Sequence, residues 1–318
     1  MTLSPVEAMQ MAVDVVLTSP HPENKVAATL FSAQAHLSRT NDWPQPIRDK
    51  IGMTTRIGDS SGTLHAEVNC LLHFSAKAEG ASLAITDPCC PNCAKYIAES
   101  GIKHLYIDHK GFEKNFALRR GDEFEDMSLR ILAHAGITID KVHRKSNVIT
   151  TIYAPPKNYS PPEDNPIEIK PSRAPISDDT LMTLARLVRV KHPRWGCALA
   201  TDTTGKTWTL VASAHPAIGF TEHGLSHTDL LDTGKYDFYL EPVNRLLMGA
   251  ARKGLRLLPD MIWCSVLPSP REMVNLIGAG LSRLRIGDIQ THKKASSEEA
   301  FRLLAETGLV QFLEEKLT

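Results

Sequence analysis

Cys89-Cys90-Pro91-Asn92-Cys93 crowds three of the chain's six cysteines into five positions. Adjacent cysteines sit too close for relaxed disulfide geometry, and six thiols in 318 residues are far from a disulfide scaffold. Metal or thiol chemistry is the better reading. Upstream, His65-Ala66-Glu67 sets an imidazole and a carboxylate two positions apart. One imidazole and two thiolates would fill three corners of a tetrahedral zinc site and leave the fourth for water, whose pKa the ion lowers towards neutrality. Cys-x-x-Cys at a helix start points both sulfurs at one ion, and the helix N-terminus favours thiolates. His65, Cys90 and Cys93 are therefore the expected metal ligands. Glu67 is expected to carry protons between water, substrate and leaving group. Either fragment alone says little, because His-x-Glu often opens a helix and Cys-x-x-Cys also serves redox pairs or structural zinc sites. A structural site wants a fourth protein ligand, and Cys70 reads as a core position deeper in its helix. Cys89 reads as a neighbour of the site; as a third thiolate it would close the open position.

The elements that must hold these residues alternate. Ser4-x-x-Glu7 is a capping box opening a helix through about Thr18. Two strand-like runs follow, "KVAATLFSA" and "HLSRT", then a stretch rich in Pro, Gly, Asp and Ser from Asn41 to Gly62 that reads as loop. A helix is expected from His65 through "VNCLLHFSAKA". Next come strand "SLAIT", the cysteine turn, helix "CAKYIAES" stopped by Gly101, strand "KHLYID", helix "EFEDMSLRILAHAG" and strand "ITIDKV". Strands alternating with helices imply a three-layer α/β/α sandwich. Seven prolines among residues 154–175 exclude a packed helix or a central strand there, so this segment reads as a semi-rigid linker. It divides the chain into a catalytic domain at 1–153 and a second domain at 176–318, which restarts with helix "DDTLMTLARLVRV" and strands "GCALATD" and "TWTLVAS".

The order His-x-Glu, then Pro-Cys-x-x-Cys, is the mark of zinc-dependent base deaminases. "HAEVN" followed by "SLAITDPCCPNCAKYIAESGIKHLYID" resembles the cytidine and deoxycytidylate deaminase superfamily over roughly residues 5–143, and the tail after the cysteines looks most like the deoxycytidylate branch. The resemblance implies one Zn²⁺ in the N-terminal domain on His65, Cys90 and Cys93, with Glu67 as proton shuttle. It also implies substrate contacts from Asn24, ahead of the first strand, and from Ala66. This chain departs from the family twice. Cys89 stands where the proline of Pro-Cys-x-x-Cys is usual, and Val26-Ala27-Ala28 stands where a glycine-containing "VGA" is common, which leaves the pocket floor open.

The second half reads as a faded copy of the first. "HAEVNCLL" at 65–72 pairs with "LEPVNRLL" at 240–247, and "PCCPNCAKYIAESGIKHL" at 88–105 with "LPSPREMVNLIGAGLSRL" at 267–284. In that pairing Leu240, Pro242, Ser269 and Glu272 replace His65, Glu67, Cys90 and Cys93, so the second copy is expected to bind no zinc and to be inactive. A second metal on His215, His223, His227 and Asp229 is the weaker reading of a polar, histidine-bearing loop.

The expected reaction is hydrolytic deamination of a cytosine-bearing nucleotide such as dCMP. A nucleoside or free-base deaminase, acting on cytosine, guanine or another aminated heterocycle, is the alternative, and a tRNA base deaminase a weaker one. Outside enzymes, the rival is a zinc-binding scaffold, which has no need of Glu67. Lys+Arg and Asp+Glu each number 36 and aromatic residues make up 6%, which disfavours a nucleic-acid partner. The first twenty residues read as an amphipathic helix and not a signal peptide, and no apolar run reaches membrane-spanning length. A cytoplasmic protein with reduced thiols is expected, with no membrane partner. Membership of the class implies a homo-oligomer, a dimer of two-domain chains.

Overall fold

The computed structural model describes residues 3–114, 123–188, 192–224, 237–292 and 294–317. The first helix, α1 (Pro5–Val15), starts where the capping box requires. Ser4 Oγ accepts from Glu7 N, and Glu7 Oε2 accepts from Ser4 N at 2.8 Å. Next come β1 (Ala27–Phe31), β2 (His36–Thr40), α2 (Gln45–Lys50), α3 (Ala66–His73), β3 (Ser82–Ile85), α4 (Pro91–Glu99) and β4 (His104–Asp108). A π-helical turn at Glu123–Ser128 leads into α5 (Leu129–His134), β5 (Thr138–His143) and β6 (Val148–Tyr153). These strands form one sheet in the order β2-β1-β3-β4-β5-β6.

Three details differ from the sequence reading. The stretch 41–62 is not all loop, because Pro44-Gln45-Pro46 opens the one-and-a-half-turn α2, whose Ile47 is buried. Helix α3 stops at His73, where Phe74 turns extended, so "FSAKA" does not continue it. β6 follows "ITIDKV" as an edge strand whose first four residues are exposed, and so it carries no inside–outside alternation to read.

The chain continues through β7 (Glu168–Pro171), α6 (Asp178–Leu187), β8 (Trp195–Thr201), β9 (Thr207–Ser213), the short β10 (His215–Pro216) and β11 (Tyr239–Leu240), α7 (Pro242–Lys253), β12 (Arg256–Leu267), α8 (Pro270–Gly278), β13 (Arg283–His292), α9 (Ser296–Glu306) and β14 (Gln311–Glu314). The second large sheet runs β14-β13-β12-β8-β9-β7. Part of the proline-rich segment is thus strand, but β7 lies at the sheet's edge, where proline is tolerated.

The two sheets share a five-strand plan. β1 is antiparallel to β2 and β3, and β3, β4 and β5 run parallel. β8 is antiparallel to β9 and β12, and β12, β13 and β14 run parallel. Helices fall at matching points: α1 with α6, α3 with α7, α4 with α8 and α5 with α9. The chain is a tandem pair of α/β/α units.

Alternation within the central strands divides the core. Leu83 and Ile85 face one side of the first sheet, and Ala84 faces α1 with Phe31, Ala8 and Met9. In the second unit, α6 covers Trp195, Cys197 and Leu199 on the outer face. The inner faces share one continuous apolar cluster that includes residues of α3, α4 and α5 from the first unit and α7, α8 and α9 from the second. The contacts are reciprocal, as an approximate twofold relation requires: α3 touches α8, and α4 touches α7. A buried ion pair crosses this seam, from Arg245 Nε on α7 to Glu99 Oε1 on α4 at 3.1 Å.

Candidate active site

Three candidate ligands converge because each occupies a helix start. His65 is the N-cap of α3, with extended backbone (φ −72°, ψ 153°). Cys90 is the N-cap of α4 (φ −77°, ψ 164°), and Pro91 at the first helical position fixes the direction in which Cys93 follows one turn later. His65 Nδ1 lies 3.2 Å from Cys93 Sγ and 3.6 Å from Cys90 Sγ. A tetrahedral ion with Zn–N near 2.05 Å and Zn–S near 2.3 Å needs N···S edges of about 3.5 Å. The donor set fits zinc in both chemistry and spacing. Among the described residues this is the group whose donor atoms lie together in this way, and Cys89, though buried, is not part of it. Burial and the neighbouring Cys90 push the Cys93 thiol well above the usual range.

The peptide leading into His65 is held on both sides. Leu64 and Asp42 exchange main-chain hydrogen bonds (N–O 2.7 and 3.0 Å), and Thr63 O accepts from Arg271 Nη1 on α8. Glu67, in the first turn of α3, is 3% exposed. Burial raises its carboxyl above the ordinary range; His65 opposes the shift and Cys90 adds to it. A raised carboxyl beside the ligand cluster suits a group that must both accept and return a proton.

His65, Glu67 and Cys90 face a cavity of about 660 Å³, ample for a nucleotide. Asn24 and Ala66, expected as substrate contacts, line it together with His65, Glu67 and Cys90. The Asn24 main chain is clamped, because its N–H donates to His21 Nδ1 at 3.0 Å and its carbonyl accepts from Asn41 Nδ2 at 2.8 Å. His21 in turn stacks on Trp43. Sequence reasoning missed His21 and Asn41; "SPHPEN" reads as a turn, and nothing local shows that its imidazole aims the next asparagine. It also missed Arg56, Arg271, Asn275 and Lys294, which line the same cavity, the last three from the second unit.

The corresponding place in that unit holds a much smaller cavity, of about 130 Å³. Counted from the helix caps, Glu241 stands where His65 does and Val243 where Glu67 does, one residue away from the pairing that "VN" suggests. Ser269 and Glu272 replace Cys90 and Cys93 as expected. Glu272 fills the space itself, accepting from Val243 N (2.8 Å), Ser269 N (2.8 Å) and Ser269 Oγ (2.8 Å). Glu241 pairs with Arg194 Nε at 2.9 Å. Among the described residues no metal-binding group occurs here. His215 is buried beside Asp164, while His227 and Asp229 lie outside the described residues.

Residues 4–108 match the family described as the cytidine and deoxycytidylate deaminase zinc-binding region. That stretch of the N-terminal unit is similar to this superfamily's zinc-binding region. The enzyme is a hydrolytic deaminase. Its relatives include a deaminase encoded in the luxG 3′ region of Aliivibrio fischeri, 29% identical over 131 residues, which make up 41% of this chain and 87% of that protein. The deoxycytidylate deaminase of Enterobacteria phage T4 is 38% identical over 91 residues, 27% of this chain and 42% of the phage protein. The chain therefore spans less than half the length of that phage relative. A dCMP deaminase from cyanophage S-TIM5, solved with dCMP and dUMP, aligns at 23% identity with a TM-score of 0.32, over 42% of this chain and 93% of the other. Among the described residues, no helix of the deaminase is long and apolar enough to cross a membrane.

Proposed function

We propose that the protein is a zinc-dependent deaminase of a cytosine-bearing mononucleotide of the dCMP type, with one zinc per chain, held in a catalytic domain at residues 1–153. The proposed division continues with a connecting segment at 154–175, whose β7 joins the second sheet, and a metal-free domain at 176–318. The observation that carries this reading is the convergence of His65, Cys90 and Cys93 donor atoms next to a buried Glu67, with His65, Cys90 and Glu67 lining one cavity. The deoxycytidylate relatives support the choice of base and phosphate state.

Zinc, when bound, supplies the Lewis acidity that lets water ionise near neutral pH. His65, Cys90 and Cys93 would hold it. Glu67 accepts a proton from the attacking water and returns it to the ring nitrogen. As the new C–O bond forms and the C–N bond breaks, Glu67 passes the second proton to the departing amine, so cytosine and water give uracil and ammonia. Asn24, its backbone fixed by His21 and Asn41, orients the substrate, and Ala66, with no side chain beyond Cβ, leaves room for the ring.

The test is ammonia release from zinc-loaded protein against cytosine, cytidine, deoxycytidine, CMP, dCMP, guanine and adenosine. Release from dCMP is expected. Glu67→Gln should keep its zinc and lose at least about 100-fold in kcat. Undiminished turnover in that variant would remove Glu67 from the mechanism, and preference for guanine or adenosine would overturn the base assignment.

A further inference from the structure

The active cavity is not a property of the N-terminal unit alone. Arg271 and Asn275 from α8, and Lys294 from the turn before α9, form part of its wall. Outside Glu67, the charged lining residues are Arg56, Arg271, Lys294 and Asp59, so cations exceed the acidic group by two. The equivalent cavity beside Glu241 and Ser269 has shrunk to about 130 Å³. Arg271, Lys294, Asp59, Asn92 and Tyr96 border both cavities. By its place after the helix cap, Arg271 is the counterpart of Asn92, and Asn275 that of Tyr96.

Asn275 gives the independent sign of a ligand. It is fully buried, and its Nδ2 donates to Asn244 Oδ1 at 2.8 Å, while Asn244 Nδ2 donates to Tyr96 Oη at 3.2 Å. Its own Oδ1 has no partner although the side chain borders the cavity. An unmatched buried acceptor is costly, and a donor arriving with a ligand resolves it. Arg271 commits one nitrogen to Thr63 O, out of the five N–H donors that a guanidinium carries in a planar fork suited to phosphate.

We propose that the metal-free unit is the anion-recognition wall of the active cavity: Arg271, with Lys294 and Arg56, holds the phosphate of a mononucleotide, and Asn275 Oδ1 accepts from one of its hydroxyl or amino groups. The copy that lost its zinc ligands thus supplies substrate selectivity to the copy that kept them, within one chain. This rests on the deaminase reading for the position of the base.

The experiment uses the full chain with Arg271→Gln, which removes the charge and keeps an N–H donor for Thr63 O, and Lys294→Gln as a second variant. Two quantities are read: the ratio of kcat/KM for dCMP over deoxycytidine, and calorimetric binding of inorganic phosphate. The wild type should favour dCMP, Arg271→Gln should lower that ratio at least tenfold, and phosphate binding should weaken at least fivefold. If Arg271→Gln does not fold, Lys294→Gln should show both changes in the same direction. Wild-type preference for deoxycytidine, or both quantities staying within twofold in the folded variants, overturns the proposal. If the wild type turns over neither compound, the deaminase reading fails, and the phosphate titration still decides the anion site: loss of binding in Arg271→Gln supports it and unchanged binding refutes it.

Discussion

Replacing Arg245 by Met tests what holds the two units together. The Arg245 and Glu99 side chains are 2% and 1% exposed. The guanidinium also donates from Nη1 to Ser213 O at 2.9 Å and from Nη2 to Asn165 O at 2.8 Å. Methionine of similar length fills the space but leaves Glu99 charged and two carbonyls without donors. Removing one partner of a buried pair costs about 3–5 kcal/mol, mostly from the stranded charge, and the orphaned acceptors place this site towards the top of that range. Glu99→Gln in the same background removes the charge, so the double variant should recover about 2 kcal/mol relative to Arg245→Met alone. Equilibrium urea unfolding read by tryptophan fluorescence and by circular dichroism gives the cycle; Trp43 reports from the first unit and Trp195, Trp208 and Trp263 from the second. The two probes should shift together in Arg245→Met, because one apolar cluster runs through both units. A loss below about 1 kcal/mol, or a double variant no more stable than Arg245→Met, refutes the argument from a stranded charge.

Gly278→Ala places a methyl group 2.5 Å from Leu64 Cδ1 and 2.6 Å from Cδ2, and Leu64 is buried directly before His65, a proposed zinc ligand. A loss of about 1–3 kcal/mol with faster zinc release is expected; an unchanged melting temperature and zinc off-rate under chelator competition would show that Leu64 yields freely. Burial and the neighbouring Glu241 push Glu272 up to about 7, above its ordinary 4.5 and against the donors that favour its charged form. The folded chain therefore holds that proton more tightly, and the stabilisation is complete below about 4.5 and lost as pH rises through 7. The group contributes at most about 3 kcal/mol between these limits. Glu272→Gln should flatten unfolding free energy between pH 5 and 8, and an unchanged slope assigns the pH dependence to other groups.

What was legible in the sequence was what short-range geometry controls. Ser4 and Glu7 announced α1, and the two-residue gap in Cys90-x-x-Cys93 sufficed because an N-cap and the third helical residue necessarily face the same side. The runs that form β1 to β5, β8 and β9 were equally clear, while β10 to β14 were not read as strands. β6 and β7 were not, since edge strands need no apolar face, and α2 was masked by the two prolines that start it. Asn24 could be placed, but its clamps could not, because Asn41 reaches it from 17 residues away through a side chain that any polar loop residue resembles. Arg271 stands 206 positions beyond His65. Its only local signature was a charged residue inside a helix start that had lost its cysteines. Its place in the cavity follows from how two helical layers meet, which no spacing records.

The reciprocal seam between the units carries a further consequence. When two identical subunits meet across a twofold axis, any residue near the axis is present twice, and an arginine suited to one cavity must also face its twin. Joined in one chain, the two sides are free to diverge. Asn92 is small and neutral beside His65, Cys90 and Cys93 while its counterpart is Arg271, and the counterpart of Cys93 is the self-capping Glu272. One cavity could then close to about 130 Å³ while the other stayed at about 660 Å³. Two units of one plan thus frame a single lopsided site, with donor atoms gathered on one side and a carboxylate closing the other.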